Sequence, residues 1–197
     1  MKYDNTMKTR LLLLLLLVSM TISAQWTEQM YAQYTYKNYT DYAAFNQPVE
    51  PQTLDVELLE AAIFYETNRQ RAAYGVAQLQ FDAALHICAR NHSVDMVEHN
   101  FFSHTSVVAG KERMSDRLAR VGYTNCAAAE NILYSPVKES YAATAQYLVG
   151  DIWMNSAGHR QNILTAEYTH LGAGVALYFD RTWLMVKATQ NFIKKRR

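Results

Sequence analysis

Three residues whose side chains suit metal binding or acid-base chemistry are widely spaced in the second half of the chain. His104 is followed after 26 residues by Glu130 and after a further 29 residues by His159. Two neutral imidazoles and a carboxylate suit Zn²⁺, with water completing an open four-coordinate site. Spacing alone does not predict such a site, because local zinc motifs keep their ligands three to five residues apart. These residues form a hydrolytic zinc site only if the fold gathers them beside a base and a substrate groove.

The same polar residues also have structural interpretations. His92 lies on the apolar face of a predicted helix, which favours a hydrogen-bonded core histidine over a ligand. A buried Glu130 can serve as an acceptor for backbone N–H groups. His159 follows Gly158, which is expected to end a helix, and the helix dipole favours cations at that end. A serine nucleophile is not favoured, because the chain has no Gly-x-Ser-x-Gly motif and no evident triad.

Four short motifs contain these residues, and their order and spacing resemble the CAP superfamily of cysteine-rich secretory, antigen 5 and pathogenesis-related 1 proteins. The resemblance is strongest to the compact bacterial members called SCP-like extracellular proteins, and it covers residues 54–192. The motifs are His92-Ser93-Val94-Asp95-Met96, Phe101-Phe102-Ser103-His104, Ala129-Glu130-Asn131-Ile132 and the run from Trp153 to Leu164. Each motif alone is a weak signal, whereas four in this order are specific.

The resemblance implies an α-β-α sandwich with a central cleft that holds two histidines and two acidic residues. His104, Glu130 and His159 match three of those positions, which makes them the candidate zinc ligands. Ser156 stands where animal and plant relatives have the second glutamate, so a complete metal site or acid-base pair is in doubt. The candidate ligand-binding cleft comprises these four residues and Asn131.

Hydrophobic periodicity predicts an α+β fold, a three-layer α-β-α sandwich with a small antiparallel central sheet. Helices are expected over 54–74, after a cap at Asp82, over 115–121 and over 140–154. Alternating apolar residues from Val175 onward predict a hairpin that turns near Asp180–Arg181. The domain then spans 54–193, preceded by a tyrosine-rich linker or arm over 25–53 and followed by a solvated basic tail over 194–197.

The first 24 residues have the pattern of a cleavable signal peptide. Lys8 and Arg10 precede a leucine run from Leu11 to Leu17, and small residues follow up to a cut near Ala24. The apolar stretch is shorter than the roughly 20 residues that a membrane-spanning helix needs, although an uncleaved anchor is the alternative. We therefore expect a secreted or extracytoplasmic protein, whether translation starts at Met1 or at Met7.

Composition and net charge indicate the number of domains and the kinds of partner that the sequence favours. The 197 residues are 50% hydrophobic and 19% charged, which fits one globular domain. The net charge is +1, and since the leader carries +2, the mature chain carries −1. Bulk charge therefore does not indicate nucleic acid as a partner, and no transmembrane segment is expected after cleavage. Cys88 and Cys126 are either one disulfide or two buried thiols.

The sequence leaves three functions open. The first is a non-catalytic extracellular binding module that holds a lipid, a peptide or an envelope component in the cleft. The second is a zinc-dependent hydrolase of peptide or cell-wall material, and the third is a structural or interaction module that makes its contacts through the tyrosine-rich arm. Deletion of residues 26–51 is expected to spare a function based in the cleft.

Overall fold

The structure is a computed structural model that describes residues 26–195. The predicted signal peptide over 1–24 lies outside the described residues, as do the last two residues of the basic tail. Within 26–195, no helix combines the length and the apolar character needed to cross a bilayer.

Within residues 26–195 five α-helices form, and two of them begin where the sequence provides an aspartate cap. The Asp55 side chain accepts a hydrogen bond from the Leu58 N–H at the start of α1, and Asp82 does the same for the Leu85 N–H at the start of α2. The helices are α1 (Val56–Ala73), α2 (Ala83–Glu98), α3 (Met114–Arg120), α4 (Tyr141–Gln146), which continues as a π-helical segment (Tyr147–Trp153), and α5 (Ala157–Leu164).

In the part of the chain that the structure describes, four strands form one sheet in the order β1-β3-β4-β2. They are β1 (Gln80–Phe81), β2 (Ala128–Pro136), β3 (His170–Asp180) and β4 (Trp183–Ile193). β3 and β4 are the predicted hairpin, and its turn places Arg181 at a φ of 56°. β4 also pairs antiparallel with β2, whereas the short β1 pairs parallel with β3. The predicted fold class is confirmed, with one parallel pair added to the antiparallel sheet.

The sheet separates two layers of helices. Phe192 on β4 packs in the larger core with α1 and α4, while its neighbour Ile193 packs in a smaller cluster with α2 and α3. This alternation follows from the two-residue period of a strand. Glu130 pairs with Asn191 and Asn131 with Gln190, so the two neighbours on β2 also point to opposite layers.

The tyrosine-rich segment is an arm that is packed into the domain. Trp26, Tyr39 and Phe45 are 3%, 1% and 0% exposed and belong to the larger core. The Tyr39 ring stacks on Tyr65 of α1, with ring centroids 5.5 Å apart. The arm lacks aliphatic partners of its own, and α1 supplies the surface that buries its rings. Deletion of 26–51 would therefore remove core side chains, contrary to the expectation that it spares the cleft.

The two cysteines are free thiols that pack in the smaller cluster. Cys88 is buried and Cys126 is partly buried, and burial raises the pKa of Cys88 to about 12. The described half of the basic tail is attached to the domain. The Lys194 N–H donates to the Ala127 carbonyl, and the Lys195 ammonium lies 2.6 Å from the Asp82 carboxylate.

We expect Phe45→Ala to lower the free energy of unfolding by about 3–5 kcal/mol, because it leaves a cavity in the core under the arm. Lys37→Ala changes an exposed side chain of the same arm and should cost no more than about 0.5 kcal/mol. Urea unfolding followed by circular dichroism measures both. Equal stability of the two variants would contradict a structural role for the arm.

Candidate functional site

A buried ion pair between Arg117 and Glu130 lies at the centre of the candidate site. Arg117 on α3 and Glu130 on β2 both have side chains that are 3% exposed. Arg117 Nη2 donates to Glu130 Oε1 at 2.9 Å and to Oε2 at 2.7 Å. Hydrogen bonding of this kind satisfies a carboxylate that would otherwise be costly to bury.

Arg117 also fixes the loop that carries His104. Its Nη1 donates to the carbonyls of His104 at 3.2 Å and of Lys111 at 3.0 Å. One guanidinium therefore holds the carboxylate and the backbone of the loop together. Sequence reasoning missed Arg117, because an arginine in a short helix with no motif around it carries no signal of this role.

His104 is hydrogen bonded on one side and open on the other. Its Nδ1 lies 2.9 Å from Glu130 Oε1, and its side chain is 55% exposed. Burial opposes ionisation of Glu130, but the hydrogen bond from His104 and the charge of Arg117 outweigh it, so the pKa of Glu130 is lowered. Because Glu130 is an acceptor, we assign the Nδ1–H tautomer, in which Nε2 is the acceptor.

His92 contacts the backbone of the loop that carries His104. It is fully buried on α2, its Nε2 lies 3.1 Å from the Ser103 carbonyl, and burial lowers its pKa. A neutral ring with the proton on Nε2 donates to that carbonyl. The structure agrees with the interpretation of His92 as a hydrogen-bonded core histidine. It holds the residue next to His104.

His159 lies on α5, and Asn131 ties it to the sheet. Asn131 Nδ2 donates to the His159 carbonyl at 3.2 Å, and Asn131 Oδ1 accepts from Asn162 at 2.8 Å. Burial and the neighbouring His104 lower the pKa of His159. Its buried Nδ1 has no hydrogen-bond partner among the described residues.

The expectation that Gly158 ends a helix is wrong. α4 and its π-helical extension end at Trp153, and α5 begins at Ala157, after an extended Ser156 whose side chain makes no capping hydrogen bond. His159 consequently lies in the first turn of a helix, where the dipole disfavours a cation. This position and burial both act against protonation of His159.

The structure brings the predicted site residues together to different degrees. His104 and Glu130 are hydrogen bonded, and His159 lies close enough to His104 for His104 to lower the pKa of His159. Asn131 is fully buried and points to the layer opposite Glu130, so its role in the described structure is to link α5 to β2.

The three candidate zinc ligands do not form an arrangement that fits the ion. Among residues 26–195, no three His, Cys, Asp or Glu side chains converge as a group able to hold a metal. Both oxygens of Glu130 already accept N–H donors, and the adjacent Arg117 cation would repel a dication.

Comparison with known proteins gives matches over most of the domain. The model of the CAP, or cysteine-rich secretory protein, family matches residues 64–189. The chain is 39% identical over 136 residues to the Bacillus subtilis membrane protein YlbC, covering 69% of this chain and 34% of that protein. It is 34% identical over 140 residues to Bacillus subtilis YkwD, covering 71% and 49%. The chain thus spans between a third and a half of these curated relatives.

A solved structure has the same fold. The crystal structure of an extracellular protein containing an SCP domain from Bacillus anthracis superposes with a TM-score of 0.58 at 33% identity. The match covers 75% of this chain and 45% of that one. The family model begins at residue 64, so its match does not include the tyrosine-rich arm.

We expect Arg117→Gln to lower the free energy of unfolding by about 3–5 kcal/mol at pH 7, because it leaves Glu130 buried without its cation. Arg120→Gln changes an exposed arginine of the same helix and should cost no more than about 0.5 kcal/mol. The double variant Arg117→Gln/Glu130→Gln should lose less than Arg117→Gln alone, because no buried charge remains. Urea unfolding measures the three differences.

The contribution of Glu130 should also depend on pH. Its pKa is lower in the folded protein than the value of about 4.3 for an unfolded chain. Its stabilisation is therefore complete at neutral pH and is lost as the pH falls through the folded pKa. The stability difference between wild type and Glu130→Gln should shrink in acid, and a difference that does not change with pH would contradict the ion pair.

Proposed function

Since the chain belongs to the cysteine-rich secretory protein (CAP) family, we propose that it is an extracellular binding domain whose ligand contacts the cleft around His104. The observation that carries this proposal is the half-exposed imidazole of His104, fixed by a buried carboxylate and a buried guanidinium. A ligand that reaches this imidazole meets an acceptor whose position is already set. Pre-organisation of this kind lowers the ordering cost of binding.

The arrangement supports binding better than catalysis. Acyl transfer by a His–Glu pair requires a nucleophile hydrogen bonded to the other imidazole nitrogen. In the described part of the chain, no serine, threonine or cysteine side chain hydrogen bonds to His104 Nε2. Cys88 is buried with a pKa raised to about 12, so it is a thiol and a poor nucleophile at neutral pH.

Two observations support a location outside the cytoplasm. Residues 1–24 have the charge and hydropathy pattern of a secretory leader. The structurally similar Bacillus anthracis protein is described as extracellular. The ligand in this proposal is a component that is accessible from outside the cell, such as an envelope polymer.

We expect His104→Ala to reduce retention of the mature protein on sedimented bacterial cell envelopes by about tenfold or more, because the fixed imidazole is lost. The side chain is 55% exposed, so the variant should stay folded with little change in its melting temperature. His99→Ala removes an exposed histidine at the end of α2 and serves as the matched control. Protein retained after sedimentation is quantified by immunoblot.

Two results would contradict the proposal. Equal retention of wild type and a folded His104→Ala variant would show that the cleft is not the binding surface. Release of soluble peptide or sugar from the envelopes by wild type, and not by His104→Ala, would instead show that the cleft is catalytic.

A further inference from the structure

Two aromatic rings are exposed beside His104 and contact each other. Phe102 precedes His104 by two residues, and Tyr134 lies on β2; they are 43% and 57% exposed. Their ring centroids are 5.0 Å apart at an interplanar angle of 80°, an edge-to-face contact. The contact orients both rings while each keeps a large part of its surface in solvent. We call Phe102 and Tyr134 the ring pair.

The ring pair and His104 lie along one face of the sheet edge. Residues 130, 132 and 134 of β2 share a face, so Tyr134 lies on the same side as Glu130, about 13 Å further along the strand. His104 is hydrogen bonded to Glu130 near one end of this face, and Phe102, two residues before His104, contacts Tyr134 near the other end. The short segment 102–104 therefore connects the imidazole to the ring pair.

A buried lysine fixes the backbone under the ring pair. Lys187 is the partner of Tyr134 in the β2–β4 register and is 7% exposed. Its ammonium donates to the carbonyl of Met96 at 2.7 Å and to that of Phe101 at 2.9 Å. The residue before Phe102 is therefore held by the sheet. Exposed rings on a fixed backbone are suited to binding, since little flexibility is lost when a ligand covers them.

Three charged groups that hold this segment in place are already engaged. Glu130 is matched by Arg117, and the Lys187 ammonium is bonded to backbone carbonyls. Residues 102–105 are all exposed, and with Tyr134 they present two rings, an imidazole and the hydroxyls of Ser103 and Thr105. This lining complements a neutral ligand that presents both C–H faces and hydroxyl groups.

We propose that the ring pair and His104 form a subsite for a neutral oligosaccharide. The C–H face of a sugar ring packs on an aromatic ring, and a sugar hydroxyl donates to His104 Nε2. An acyl chain would cover that nitrogen without offering a hydrogen-bond donor, which is unfavourable. A charged peptide would find the charges of Glu130, Arg117 and Lys187 already paired or hydrogen bonded. This inference rests on the proposed function, because it names the ligand class of the same cleft.

The other aromatic-rich region of the chain is not equivalent. The rings of Trp26, Tyr39 and Phe45 in the arm are buried in the core, so their faces are covered by other side chains. Phe179 at the tip of the β3–β4 hairpin is 60% exposed and is distant in sequence from the cleft motifs. It therefore provides a control for nonspecific binding to an exposed ring.

The test is titration of the mature protein with three neutral tetrasaccharides, of N-acetylglucosamine, β-1,4-linked glucose and α-1,4-linked glucose, followed by NMR chemical shifts. We expect at least one to bind and to shift the resonances of Phe102, Tyr134 and His104. Phe102→Ala and Tyr134→Ala should each weaken that binding about fivefold to tenfold, whereas Phe179→Ala should leave it unchanged. Melting temperatures confirm that the variants are folded.

Failure of all three tetrasaccharides to bind, or equal binding by the ring-pair variants, would overturn the inference. So would ring-dependent binding to a neutral lipid vesicle in place of the sugars. The envelope assay separates this failure from failure of the proposed function. If His104→Ala reduces retention and the ring-pair variants do not, the binding cleft stands without the sugar subsite.

Discussion

The geometry around His104 depends on one buried ion pair, between Arg117 and Glu130. The pair connects α3 to the edge strand β2, and the same guanidinium holds the carbonyls of the loop that carries His104. A buried pair of this kind is weak as a source of stability, since the cost of removing two charges from water offsets much of their attraction. Its effect here is on position, because Glu130, held by Arg117, accepts the hydrogen bond that orients the His104 ring.

The loop is also fixed by how closely α2 packs on the sheet. A Cβ atom at Gly174 of β3 would lie 2.0 Å from the backbone nitrogen of Arg90, so a larger residue would push the helix away. At this distance Ser93 donates to the Gly174 carbonyl at 3.0 Å, and the adjacent His92 reaches the Ser103 carbonyl. The close approach of α2 to β3 therefore contributes to the position of the loop that carries His104.

The sequence was sufficient where local rules decide the structure. α1, the start of α2 and the β3–β4 hairpin follow from aspartate caps, apolar periodicity and a turn. β2 was not predicted, because its polar Glu130 and Asn131 are both buried and satisfied by α3 and α5 from opposite sides. Tertiary partners of this kind have no local signal. The same holds for Arg117 and for the arm, whose rings are buried only because α1 lies beneath them.

The position of Ser156 shows what a missing second acidic residue changes around His104 and His159. His104 Nδ1 donates its hydrogen bond to Glu130, so the orientation of the ring does not require an acid at position 156. His159 differs, because its Nδ1 is buried without a partner among the described residues and burial lowers its pKa. One imidazole is therefore fixed and the other keeps an unsatisfied nitrogen. Since an unpaired buried nitrogen is costly, a ligand or water that pairs with it would gain more there than at a solvated site.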